Sequence, residues 1–174
     1  IANDTTTDTT FDYYYRKKRN LFRSKTTETL KTTSHEEISR SEIEGRSVSI
    51  GAGGNLNMVA SGVLADGSVG LHADGDLSLL SDTAHHFSYD YHRVRRSGIF
   101  GNGGLSISVG SQSITHINSQ TDVVHHGSSI ASIAGDVLLT AGNQYLQMSS
   151  DAVAPAGDIH IAAKDVTIAS NNNT

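Results

Sequence analysis

From Val48 onward, short strands of the form apolar–x–apolar recur behind a glycine, and their spacing constrains this 174-residue chain more than any other feature. Gly54-Asn55-Leu56-Asn57-Met58, Gly67-Ser68-Val69-Gly70-Leu71 and Gly75-Asp76-Leu77-Ser78-Leu79 follow one another, and Gly135-Asp136-Val137-Leu138-Leu139, Gly157-Asp158-Ile159-His160-Ile161 and Lys164-Asp165-Val166-Thr167-Ile168 repeat the pattern later. Val48/Ile50 lie 21 residues before Val69/Leu71, Leu56/Met58 lie 21 before Leu77/Leu79, and Val137/Leu139 lie 22 before Ile159/Ile161. A two-strand unit therefore repeats every 21 or 22 residues. Strands this short cannot bury a face alone, but stacked at about 4.8 Å each covers the next and a continuous core forms. The spacing predicts an all-β chain folded as a parallel β-helix. Its structural turns are expected at Gly54, Gly75, Asp76, Gly135, Asp136, Pro155, Gly157 and Asp158. Glycine turns a tight corner there, and aspartate closes a local side-chain hydrogen bond.

A longer period overlies the short one. Met58 to Gly67 aligns with Met148 to Gly157, and Lys17-Lys18-Arg19-Asn20-Leu21-Phe22 aligns with Arg95-Arg96-Ser97-Gly98-Ile99-Phe100. The chain reads as one β-helix fragment, 1–174, made of two similar modules, roughly 1–85 and 86–174. A duplicated β-sandwich would imitate the longer repeat but not the shorter. About 21 residues per coil predicts roughly eight coils and a rod of roughly 35–40 Å. Neither end offers an obvious cap, and Asn171 to Thr174 reads as a polar link to further repeats. Helical periodicity is poor throughout; Thr33 to Glu44, with Ile38 and Ile43, is the one stretch that admits a short helix.

Composition sharpens this by exclusion. The absence of cysteine removes disulfides, thiolate metal sites and a cysteine nucleophile. A net charge of −5 argues against a general nucleic-acid binder, so no nucleic-acid partner is expected. The charge is uneven: residues 1–46 carry nine basic and eight acidic residues, and residues 47–174 carry four and ten. The threonine-rich first stretch suits either a disordered leader or an exposed strand.

The residues also carry a resemblance. Ser97-Gly98-Ile99-Phe100-Gly101-Asn102-Gly103-Gly104 followed by Val109-Gly110-Ser111-Gln112 resembles a recurring passage of filamentous haemagglutinin-type proteins. So do Gly127-Ser128-Ser129-Ile130, Ala141-Gly142-Asn143-Gln144-Tyr145 and Ala154-Pro155-Ala156-Gly157-Asp158-Ile159. The likeness is to the distal, second haemagglutinin-repeat region of two-partner-secretion exoproteins, including contact-dependent growth-inhibition effectors of the CdiA type. It covers residues 89–170 well and 11–82 more loosely; Arg23-Ser24-Lys25 stands where glycines would be, and Ala65-Asp66 replaces Ala154-Pro155. The resemblance implies a right-handed parallel β-helix in a secreted, cell-surface filament. It implies as partners the rest of a parent exoprotein, with repeats on both sides and a C-terminal toxin domain, an outer-membrane transporter, and a target-cell outer membrane or receptor. Toxin delivery across that membrane is the implied role, and an adhesin segment binding a host glycan or receptor is the alternative.

Three sets of residues could carry chemistry. Histidine pairs His85-His86 and His125-His126 invite a metal or a pH sensor, but neighbours on a strand face opposite ways, so each pair reads as solvated loop histidines. Asp66, Asp74, Asp76, Asp136, Asp158 and Asp165 admit a calcium solenoid or a glycan-cleaving β-helix, yet they sit at corners that turn formation already explains. No catalytic residue, cofactor or metal is assigned, and an enzyme is not expected. The third set is Tyr13, Tyr14, Tyr15, Arg16, Lys17, Lys18 and Arg19, with Tyr89, Tyr91, Arg93, Arg95 and Arg96. Tyrosine beside arginine suits contact with acidic lipid, lipopolysaccharide phosphates or a protein surface. The bland alternative makes each segment an irregular coil whose aromatics cover the core and whose charges guard an exposed strand.

Overall fold

The computed structural model describes residues 1–101 and 107–171, which are all β. Asn102, Gly103 and Gly104 of the resembling passage, and Asn172 to Thr174 of the polar link, lie outside the described residues. Two long strands, β1 (Asp4–Asn20) and β2 (Arg23–Ser39), precede six short ones. These are β3 (Glu42–Gly45), β4 (Val48–Ala52), β5 (Leu56–Val59), β6 (Gly62–Ala65), β7 (Val69–Ala73) and β8 (Leu77–Leu80). The order then repeats with long strands β9 (Asp82–Gly101) and β10 (Ile107–His126). Short strands β11 (Ser129–Ser132), β12 (Val137–Ala141), β13 (Gln144–Met148), β14 (Asp151–Val153), β15 (Ile159–Ala162) and β16 (Asp165–Ala169) follow. The stretch from Thr33 to Glu44 lies in β2 and β3, not in a helix.

Two compact units result. The first, residues 1–6, 36–84 and 123 onward, holds the short strands in three four-stranded sheets ordered β14-β11-β6-β3, β15-β12-β7-β4 and β16-β13-β8-β5. The short strands pair in parallel and in the predicted register: Val48 with Val69, Leu56 with Leu77, and Val137 with Ile159. Each coil thus takes three strands, one per sheet, as in a parallel β-helix. The expected two-strand unit missed β3, β6, β11 and β14, whose sequences EIEG, GVLA, SIAS and DAV lack the glycine–aspartate lead. Among the described residues four coils form rather than eight, because the long strands use up much of the chain.

Alternate side chains of each short strand point inward, so Met58, Val63, Val69, Leu71, Leu77, Leu79, Ile130, Val137, Leu139 and Tyr145 make one continuous core. Each buried aliphatic chain contributes about 1.5–3 kcal/mol by leaving water. Serines stack at one corner of successive coils. Ser61 N donates to Ser128 Oγ at 3.3 Å, and Ser128 N donates to Ser150 Oγ at 3.0 Å. The same hydroxyls donate to the carbonyls of Leu80 and Met148, so the buried corner is satisfied. Ala60 and Ser149 adopt positive φ (41° and 44°) just before this corner, the bend that turns one coil into the next.

The aspartate corners differ from expectation in one respect. Asp76 Oδ1 accepts from Asn143 Nδ2 at 2.8 Å and Gln144 N at 3.2 Å, and Asp136 Oδ1 accepts from Asp158 N at 2.9 Å. These bonds join neighbouring coils instead of closing a local turn, because the stacked corner brings the next coil's N–H nearer than the residue's own. Gly54, Gly75, Gly135 and Gly157 stand at the corners before β5, β8, β12 and β15, but none takes a positive φ; at Gly75, Gly135 and Gly157 it is the adjoining coil that leaves no room for a Cβ. Pro155 starts a tight turn in which Gly157 N donates to Ala154 O at 3.3 Å.

Tyr145 is the largest fully buried side chain, and its hydroxyl donates to Gln147 Oε1 at 2.8 Å. Burial pushes its pKa from 10.0 up to about 12. The unfolded chain ionises this tyrosine first, so its stabilising contribution is complete below pH 10 and is lost as pH rises toward about 12. The full loss is about 2–3 kcal/mol. Urea midpoints measured across this range are expected to fall more steeply for the native chain than for Tyr145→Phe; parallel curves would refute the assignment.

The second unit, residues 7–35 and 85–122, is an antiparallel sheet ordered β1-β2-β9-β10. Arg23 pairs with Gly98 and the register runs to His35 with His86. The threonine-rich opening stretch is strand, not disordered leader, since β-branched threonines suit an exposed pleated surface.

Candidate surface-contact sheet

The residues expected to touch a surface all fall on this antiparallel sheet. Tyr13 to Arg19 lie on β1, and Tyr89, Tyr91, Arg93, Arg95 and Arg96 lie on β9. The alternative makes them irregular coils over a core, yet they lie on long regular strands and Tyr13 is 59% exposed; its other half, charges guarding an exposed strand, fits β1 at the sheet edge. Tyr14, Tyr15 and Phe11 are exposed beside it, while Tyr89 and Tyr91 are half-buried.

Strand geometry divides the contiguous sequence between two faces. Thr9 Oγ1 bonds Ser34 Oγ at 3.3 Å and Thr10 bonds Thr33, and the turn between β1 and β2 is Leu21-Phe22. Counting from those bonds sets Tyr13 opposite Leu30, Tyr15 opposite Glu28, Lys17 opposite Thr26 and Lys18 opposite Lys25. The next strand continues the rows, with Leu30 paired to Tyr91, Glu28 to Arg93, Thr26 to Arg95 and Lys25 to Arg96. One face therefore carries Tyr13, Leu30 and Tyr91, then Tyr15, Glu28 and Arg93, then Lys17 and Arg95. The other carries Tyr14, Thr29 and His92, then Arg16, then Lys18, Lys25 and Arg96. Thr29 Oγ1 lies 3.2 Å from His92 Nδ1, and Arg93 Nε donates to Ser113 Oγ at 3.2 Å, fixing β10 beside β9.

Sequence reasoning put Arg95 and Arg96 together, but the pleat sends them to opposite faces. It also missed Arg23 and Lys25 as members of the basic cluster. The signal was there: Lys18 and Lys25 stand equally far from the Leu21-Phe22 turn, so a hairpin must oppose them.

The other candidate groups take structural places. His85 and His86 lie on β9 and His125 and His126 on β10, so they are strand residues rather than loop residues. The His35 and His86 rings stack across β2 and β9 with centroids 4.1 Å apart. Asp74 Oδ1 bonds His72 Nε2 at 3.0 Å. Among the described residues, no three of His, Asp and Glu converge as a metal site, and no helix is long and apolar enough to cross a membrane.

Comparison with known proteins places these features in context. The chain is 35% identical over 169 residues to the tRNA nuclease CdiA of Escherichia coli O6:K15:H31, covering 94% of this chain and 5% of that protein. It is 30% identical over 182 residues to the tRNA nuclease CdiA of Yersinia mollaretii, covering 99% of the chain and 6% of the relative. Against the 16S rRNA endonuclease CdiA of Enterobacter cloacae it is 29% identical over 94% of the chain. It thus spans about one-twentieth of the length of the curated relatives it matches. No family model matches, and no solved structure matches significantly.

Proposed function

Because this chain belongs to the CdiA-type exoproteins along nearly its whole length, we propose that it is a structural repeat segment of a large secreted, cell-surface contact-dependent growth-inhibition protein, assisting toxin delivery across the target-cell outer membrane. The observation that carries this reading is the relationship over 94% of the chain. The parallel coil unit and the long-stranded, basic and aromatic sheet each support it, since stacked coils suit a filament and the sheet offers contact residues. The parent protein, with repeats on both sides and a C-terminal toxin, supplies the nuclease that the relatives' names record; this segment is proposed to be non-catalytic. Its two-module organisation, 1–85 and 86–174, is part of the same proposal.

In-frame deletion of this segment from the parent tests the reading in a mixed culture of inhibitor and target cells. Surface display and cell–cell attachment are expected to persist while inhibition falls to that of a toxin-free strain. Retained inhibition overturns the delivery role, and loss of attachment favours an adhesin segment instead.

A further inference from the structure

The end of the long-stranded sheet nearest the Leu21-Phe22 turn concentrates positive charge without compensation. Lys18, Lys25 and Arg96 form one row across three adjacent strands, and Arg16 and Arg23 stand on the same face. Neighbouring strands lie about 4.8 Å apart, so one tetrahedral anion can touch two of the three cations at once. Like charges directly opposite each other destabilise a sheet. A folded domain normally answers them with carboxylates, yet among the described residues none is in ion-pair contact with Lys18, Lys25 or Arg96. Glu28 points to the other face, and Asp12 and Asp90 lie farther down the strands, beyond Arg16 and Val94.

The row opens onto a cleft of about 520 Å³ lined by Lys18, Asn20, Arg23, Lys25 and Arg96. Arg23 is already oriented, with Nε donating to Ile99 O at 3.1 Å. Two ammonium groups and a guanidinium fork match a dianionic phosphate better than a carboxylate, because arginine binds phosphate through two parallel hydrogen bonds. Beside the cleft, the turn holds apolar side chains out to solvent: Leu21 is 89% exposed and Phe22 65%. Exposed apolar side chains next to cations, with Tyr14 farther along the same face, repeat the layering of a lipid–water interface.

We propose that Lys18, Lys25 and Arg96 form a site for the phosphomonoester headgroup of a lipid, with Leu21 and Phe22 entering the lipid surface beside it. The proposal goes beyond the delivery reading and does not depend on a toxin.

Cosedimentation of the purified chain with phosphatidylcholine vesicles containing phosphatidic acid tests it. Vesicles of equal surface charge made with phosphatidylglycerol, a phosphodiester, serve as comparison. Binding is expected to favour phosphatidic acid, and Lys25→Gln with Arg96→Gln is expected to weaken it about tenfold or more. Arg46→Gln with Lys164→Gln removes equal charge from exposed positions of the coil unit and is expected to change binding by less than about twofold. None of the four side chains is buried, and unchanged circular dichroism and melting confirm that each variant folds. Equal loss in both variants, or equal binding to both vesicle types, overturns the site. Displacement by inorganic phosphate as effective as by lipid phosphate overturns the lipid assignment. The assay contains no toxin, so its failure leaves the delivery reading intact, and failure of the deletion test leaves this site intact.

Discussion

Tyr145→Ala is expected to destabilise the coil unit by about 3–5 kcal/mol, read as a lower urea midpoint with little change in slope. Tyr145 sits on β13, paired on one side with Leu77 and on the other with Val166, and no part of it reaches solvent. Truncation removes the largest side chain of the core. The surrounding strands cannot close the gap, because each is fixed by ladder bonds to the coils above and below. The loss is also polar: the tyrosine hydroxyl donates to Gln147 Oε1, and Gln147 Nε2 donates to Ser150 O at 2.5 Å. Removing the hydroxyl leaves Gln147 Oε1 without that donor beside the serine corner. A domain of this size holds only about 5–15 kcal/mol, so the variant should be close to unfolding at physiological temperature. A cost below about 1 kcal/mol would mean the core is not organised around this residue.

Tyr145 also marks where the sequence was legible and where it was not. The sheets containing β4 and β5 were readable because both faces of the code are present: alternating Val, Leu and Ile inward, and glycine with aspartate or asparagine at the corner. Leu77 and Leu79 follow that rule, as do Val137 and Leu139. Gln144-Tyr145-Leu146-Gln147-Met148 breaks it, since polar neighbours disguise the inward aromatic. The third sheet was harder still. Its strands point inward Ile43, Val63 with Ala65, Ile130 and Ala152, and its corner uses serines whose role appears only when coils stack. The candidate contact residues were legible as composition but not as geometry. Which cations share a face depends on Arg23 meeting Gly98, a pairing 75 residues apart that no local pattern encodes.

Gly142→Ala is expected to cost about 3 kcal/mol, whereas Gly51→Ala should lie within about 0.5 kcal/mol of the native chain. Both glycines belong to the coil unit, and ordinary helix or strand propensity does not separate them. The difference is what lies beyond the α-carbon. A methyl group at Gly51 meets nothing within 4 Å, because that face of β4 is open. At Gly142 it would fall well inside van der Waals contact of Asp74 O, a backbone atom of the adjoining coil. That carbonyl cannot swing aside cheaply. Gly142 N donates to Ala73 O at 2.9 Å, and Asn143 N donates to Gly75 O at 3.1 Å, so moving Asp74 breaks the bonds on either side of it. The neighbouring Asp76 bond to Asn143 Nδ2 would be strained with them. The coils must separate at this corner while staying paired at the other two, a distortion spread along the stack because each coil rests on the next. Chemical denaturation of both variants measures the contrast directly. Equal stabilities would mean that the close approach of coils at Gly142 does not govern the fold.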